Sequence, residues 1–176
     1  MLAFTTRKSL HASYKAGNIG PKSIGPNRVP KWEGAPFLRI LIADDHEAVR
    51  KGVCAILSSR TDVEVCGEAE NGKETIEKAN ELKPDLIILD ITMPVLSGFE
   101  AAREIRKTLP KVPILILSMH ESNQLIGEAK KIGVQGYVTK TQVGSTLLEA
   151  VDRLLRHETF FPERISSAAE SAVQTV

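Results

Sequence analysis

The sequence predicts an α/β domain, a doubly wound parallel sheet of five strands with helices on both faces, and two observations predict it. Short apolar runs alternate with stretches whose apolar residues recur at helical spacing, and that alternation implies right-handed crossovers between parallel strands. Two of the runs, "DLIILD" (85–90) and "VPILILS" (112–118), are so continuously apolar that the sheet must be covered on both faces.

The elements follow in order. "FLRILIA" (37–43) reads as the first strand, and Val49, Val53, Ile56 and Leu57 recur as one face of the helix after it. "VEVCGEA" (63–69) is the second strand, and Asn71 with Glu74 three residues on has the form of a capping box opening the next helix. After "DLIILD", Ser97 and Glu100 repeat that form ahead of Phe99, Ala102, Ile105 and Leu109. "VPILILS" precedes a helix bearing Leu125, Ala129 and Ile132, and "QGYVTK" (135–140) precedes one bearing Val143, Leu147, Val151 and Leu154. Gly67, Gly98, Gly133 and Gly136 fall near element ends and read as turns or caps rather than ligand contacts.

A chain of 176 residues, 42% hydrophobic, accommodates one such domain with tails. Residues 15–36 are punctuated by Gly and Pro without apolar periodicity, so 1–36 is expected to be a disordered basic arm. The folded domain is expected over 37–157. In the 158–176 tail, Ile165, Ala168, Ala169 and Val173 have the spacing of one short amphipathic helix. The arm carries six basic residues against the single acid Glu33, which leaves seventeen basic and twenty-one acidic residues for the rest. A mildly acidic domain is a poor nucleic-acid binder, because affinity for phosphate backbones needs clustered Lys and Arg. Cys54 and Cys66 lack metal-ligand spacing and read as buried thiols of a reducing cytoplasm. No apolar run approaches the ~18 residues of a transmembrane helix, so a cytoplasmic chain with no membrane contact is expected.

The polar residues that interrupt this pattern fall at strand ends. Asp44 and Asp45 end the first strand, Asp90 the third, Ser118 the fourth and Lys140 the fifth. In a parallel sheet those ends share one edge, which is where open α/β sheets bind ligands. Three carboxylates held together need a counter-charge, and hard oxygen donors in that number suit Mg²⁺ with a phosphoryl group. One carboxylate then serves as nucleophile toward phosphorus. Asp90 is the best candidate, standing alone on a central strand and followed by "ITMP", a loop with a backbone carbonyl to offer the metal. Lys140 would neutralise phosphoryl oxygens and the Ser118 hydroxyl would hydrogen-bond another.

"ILIADDHEAVRKGV", "PDLIILDITMPVLSGFEAAREIR", "VPILILSMH" and "GVQGYVTK" resemble the receiver domain of two-component response regulators, in particular the NarL/LuxR-type subfamily, over residues 37–157. The resemblance implies a flavodoxin-like (CheY-like) fold in which a histidine kinase passes a phosphoryl group to Asp90. It implies that Asp44, Asp45, Asp90 and the Thr92 carbonyl hold Mg²⁺, and that Ser118 and Lys140 stabilise the phosphorylated state. It also implies a switch in which Ser118 moves toward the phosphoryl group and Tyr137 turns inward. That switch would reshape the face of the fourth helix, fifth strand and fifth helix for a downstream protein partner. A homodimer is one assembly that such a face permits. Regulators of this type continue into a helix-turn-helix domain, whereas 19 residues follow His157 here, so direct DNA binding is not expected. Such a chain is not a turnover enzyme, since it catalyses only its own phosphorylation and dephosphorylation.

Other readings carry less. A phosphatase with an Asp nucleophile would want D-x-D-x-T, but Asp90 is followed by Ile91 and Thr92, and "ADDHEA" has none of the glycines of a dinucleotide fingerprint. The alternative that remains is a phosphate sink or a partner-docking receiver not driven by phosphorylation. His46 is expected to start a helix at the site rim, His120 to flank the pocket mouth, and Met93, Phe99 and Met119 to be packing groups.

Overall fold

The computed structural model describes residues 37–162, so the arm of 1–36 and the short helix expected around Ile165 to Val173 lie outside the described residues. Five strands form the expected sheet: β1 (Leu38–Ala43), β2 (Val63–Ala69), β3 (Leu86–Asp90), β4 (Ile114–Ser118) and β5 (Gly136–Thr139). Their order is β2-β1-β3-β4-β5 and every pairing is parallel. Helices α1 (Glu47–Leu57), α2 (Gly72–Leu82), α3 (Gly98–Thr108) and α4 (Asn123–Ile132) supply the four crossovers, and α5 (Val143–Leu155) follows β5 and packs back on the sheet.

Strand alternation divides the core into two layers. Ile40 and Ile42 of β1, with Ile88 and Leu117, pack against Val53 and Leu57 of α1 and Leu147 and Val151 of α5. Leu41 and Ala43, with Leu89 and Ile116, pack against Ala79 of α2, Ile105 of α3 and Ala129 of α4. β3 and β4 are buried at every position, as strands covered on both faces must be. Among the described residues no helix is long and apolar enough to cross a membrane.

This order matters for function because the chain leaves β1 toward β2 on one side and returns to β3 on the other. The reversal opens a crevice between the carboxyl ends of β1 and β3, which are the ends bearing Asp44 and Asp90. Local chemistry fixes the helices that frame it. Ser97 and Glu100 form a complete capping box at the start of α3. At α2 the Asn71 side chain accepts from the Glu74 N–H, but the Glu74 carboxylate accepts from the Glu70 N–H, one residue short of the expected reciprocal bond.

Two glycines fit α2 and α3 onto the loop beneath Asp90. The Gly98 N–H donates to the Ile91 carbonyl at 2.9 Å, and a Cβ at Gly98 would lie 1.9 Å from the Asp90 carbonyl oxygen. The Gly72 N–H donates to the Leu96 carbonyl at 3.1 Å, and a Cβ there would lie 2.3 Å from that oxygen. Of the glycines read as caps, Gly133 ends α4 in the left-handed region at φ 84°, whereas Gly98 is a close-approach position. Gly98→Ala is accordingly expected to destabilise the fold by about 3 kcal/mol or more in denaturant titration. Gly52→Ala in α1, where nothing lies within 4 Å, should raise stability by ~0.5–1 kcal/mol; equal effects at the two positions would remove the steric argument.

Candidate functional site

Asp90 and Ser118 are the last residues of β3 and β4, and Asp44 and Lys140 are the first beyond β1 and β5. Parallel pairing brings the ends together, and the side chains meet in a buried ion cluster. Lys140 Nζ lies 2.6 Å from Asp44 Oδ2 and 3.1 Å from Asp90 Oδ1. Asp44 is 1% exposed, Asp90 3%, and the Lys140 side chain 8%. Asp44 Oδ2 is a buried carboxylate oxygen whose charge the Lys140 ammonium meets in a close ion pair.

Burial pushes the Asp90 carboxyl above its ordinary range; the ammonium of Lys140 pulls it back and the Asp44 carboxylate adds to the rise. Burial opposes the charge of Lys140 as well, but the two carboxylates outweigh it and hold the ammonium above the ordinary lysine range. One cation therefore faces two carboxylates inside the protein, with a third at the rim.

That third is Asp45, whose Oδ1 lies 2.7 Å from His46 Nδ1. His46 precedes α1 as its N-terminal cap residue and is exposed, the rim position expected of it. The His46 N–H donates to Asp44 Oδ1 at 2.9 Å. Asp44, Asp45 and His46 each present a donor atom within 4.8 Å of the others. Excess negative charge and hard carboxylate oxygens are what a divalent cation of the Mg²⁺ kind satisfies, so Asp44 and Asp45 fit that ion and the softer His46 imidazole does not. Thr92 follows two residues after Asp90 on an exposed stretch of the β3–α3 loop, outside the buried cluster. The same loop holds Val95 at φ 67°, a conformation that a β-branched residue rarely adopts.

Ser118 is buried, and its Oγ accepts from the His120 N–H at 3.1 Å. The Tyr137 hydroxyl donates to the His120 carbonyl at 2.6 Å. Tyr137 is 0% exposed in the structure, in which Asp90 is paired with Lys140. His120 is an exposed residue whose backbone joins the Ser118 hydroxyl to the Tyr137 hydroxyl. Met93 and Phe99 pack against the core as expected. Met119 does not: it is 62% exposed beside Ser118, because β4 ends at Ser118 and the chain turns out to solvent. The two cysteines are half-buried free thiols, not core thiols, and burial pushes both up from the ordinary thiol range.

Arg50 was not among the candidates, and the structure shows why it matters. It is buried on α1, donating from Nη1 to the Asp44 carbonyl at 2.8 Å, from Nε to Glu68 at 2.9 Å and from Nη2 to Glu70 at 2.8 Å. The guanidinium thus pins the backbone of the acidic corner to the end of β2. The available signal was a basic residue at the helical position shared with Val53 and Leu57, where an apolar residue belongs.

A family model described as "Response regulator receiver domain" matches residues 40–152. The response regulator protein VraR of Staphylococcus saprophyticus is 37% identical over 128 residues, 73% of this chain and 61% of that protein. The chain therefore spans about 61% of the length of this curated relative. A LuxR-family two-component response regulator from Aurantimonas sp. SI85-9A1 superposes with TM-score 0.68 at 32% identity, covering 70% of this chain and 89% of that one. The response regulator domain of Thermotoga maritima CheB gives 0.64 at 34%, covering 68% and 97%.

The raised Asp90 carboxyl carries a stability consequence. A group that binds its proton more tightly in the folded state favours folding below its unfolded value, and that contribution is lost as pH rises through the folded value. With divalent cations chelated, Asp90→Asn should unfold at a higher temperature than wild type at neutral pH. The difference should shrink as pH falls toward about 4, near the ordinary carboxylate range; a gap that widens in acid would reverse the assigned sign.

Proposed function

The chain belongs to the response regulator receiver family, a phosphoacceptor family of two-component signalling, and from that premise we propose that a histidine kinase transfers a phosphoryl group to Asp90. The observation that carries the reading is the Lys140 ammonium set between the Asp44 and Asp90 carboxylates in a buried crevice at the sheet edge.

The chemistry follows from the side chains. An Asp90 carboxylate oxygen forms a bond to phosphorus as the donor's P–N bond breaks, and the electron pair leaves with the kinase imidazole. The nucleophile must be ionised, which its burial resists and Lys140 assists. Lys140 then faces the phosphoryl oxygens as a compact charge, and the Ser118 hydroxyl offers them a hydrogen bond. Receiver domains generally bind Mg²⁺ at an acidic pocket; here Asp44 and Asp45, joined by Asp90 and the Thr92 carbonyl, would hold it, and it would supply positive charge against the transferring group. Arg50 keeps the Asp44 backbone in place throughout.

The output we propose is a contact between a protein partner and the face formed by α4, β5 and α5, altered when Ser118 and Tyr137 respond to the phosphoryl group. A cytoplasmic setting goes with a soluble kinase-facing role.

Incubating the chain with Mg²⁺ and a small-molecule phosphodonor should add one phosphoryl group by intact mass, and Asp90→Ala should abolish it. An unmodified wild-type chain would return the reading to a docking module or phosphate sink whose output is independent of phosphorylation, while labelled Asp90→Ala would relocate the nucleophile. Asp45→Ala should weaken Mg²⁺ binding about tenfold or more in a direct titration; an unchanged affinity takes Asp45 out of the metal shell.

A further inference from the structure

Beyond α5 the chain does not leave the domain. His157 takes a left-handed conformation at φ 61°, its N–H donates to the Leu154 carbonyl at 3.0 Å, and the Glu158 N–H donates to the Arg153 carbonyl at 2.9 Å. This pair of bonds closes α5 and turns the chain back along the sheet. Phe160 then forms a parallel bridge with Gly136 on the outer edge of β5. Its N–H donates to the Gln135 carbonyl at 2.9 Å, and the Tyr137 N–H donates to the Phe160 carbonyl at 2.7 Å.

The two aromatic side chains take opposite faces of the sheet, as neighbours on a strand do. Phe160 packs with the layer under α1 and α5, and Phe161 with the layer under α2, α3 and α4. Each is capped by a cation: Arg153 of α5 lies 5.6 Å from the Phe160 ring centre and Lys130 of α4 lies 4.6 Å from that of Phe161. Residues 159–162 therefore strap the α4, β5 and α5 face and cover an edge that strand addition by another chain would otherwise use.

The strap is wired to the phosphoacceptor site through one residue. Tyr137 bonds the strap through its backbone N–H and the His120 carbonyl through its hydroxyl, and the His120 N–H bonds Ser118 Oγ. On the other side the Lys140 N–H donates to the Ser118 carbonyl at 2.7 Å. The Tyr137 ring is fully buried with Asp90 unmodified, and its backbone N–H is the group that reaches the strap.

We propose that residues 159–162 are an intramolecular strap on the β5 edge, seated while Asp90 is paired with Lys140 and released when a phosphoryl group on Asp90 draws Ser118 and Lys140 toward itself. The release uncovers the backbone groups of the β5 edge at Gln135 and Tyr137. This rests on the phosphoacceptor reading above.

The test is amide hydrogen exchange on the full chain with and without Mg²⁺ and a small phosphodonor, with intact mass read on the same samples. Phosphorylated chains should lose about tenfold in protection at the Tyr137 and Phe160 amides while the β1 amides hold. Protection that is unchanged or higher at those two amides, or lost equally in β1, overturns the strap's coupling in a sample whose mass proves phosphorylation. A sample that takes up no phosphoryl group overturns the phosphoacceptor reading and this inference with it. Because a seated strap opposes the phosphorylated geometry, Phe160→Ala should raise the phosphorylated fraction severalfold at a fixed phosphodonor concentration; an unchanged fraction counts against the coupling.

Discussion

Everything at the functional edge depends on one buried ammonium. Lys140, at the end of the last strand, touches Asp44 at the end of the first and Asp90 at the end of the third. Removing charges from water costs several kcal/mol per ion in real proteins, and a pair recovers that only with close geometry. A cluster with more carboxylates than cations recovers it incompletely, which is why burial leaves Asp90 pushed up. Such a residual imbalance is poor design for stability and suitable design for a site that receives charge from outside.

Asp44 is held by two cations doing different work. Arg50 spreads its planar fork over a backbone carbonyl and two surface glutamates, so all its directions are committed to the protein. Lys140 is a point charge with rotatable donors, and its contacts are to the very groups that a metal and a phosphoryl group would engage. The fixed cation sets the backbone, and the adaptable one remains available to change partners.

The fold was legible because both layers obey simple periods. Apolar runs marked β3 and β4, and Ser97 with Glu100 marked the start of α3. The site was legible for a related reason: Asp44, Asp90, Ser118 and Lys140 interrupt apolar strands at their ends, and a parallel sheet turns that linear position into proximity. What stayed hidden depends on partners distant in sequence. Arg50 looks like any helical surface charge until β2 brings Glu68 and Glu70 beside it, and "TFFP" has no alternation because its pairing is to an edge 24 residues upstream, Gly136 to Phe160. Met119 and the half-buried cysteines were misjudged because composition does not say where a strand ends or how deep a face lies.

The resting geometry also constrains how a signal can leave the site. A phosphoryl group on a side chain adds roughly −1.5 to −2 charge at neutral pH, and the crevice that would receive it already has a carboxylate excess. Lys140 cannot serve Asp44, Asp90 and new phosphoryl oxygens with unchanged contacts, so an arriving phosphoryl must loosen its hold on Asp44 or move β5's end with it. The Asp44 backbone is in turn anchored by Arg50, so a change in the Lys140 contact would bear on the end of β5. The Lys140 N–H is bonded to Ser118 and the next strand position inward, Thr139, pairs with Ser118, so any shift there is shared by β4's last residue. A displacement of that kind would meet Tyr137 within the same four-residue strand, and from Tyr137 the backbone bond on the outer side is to the strap.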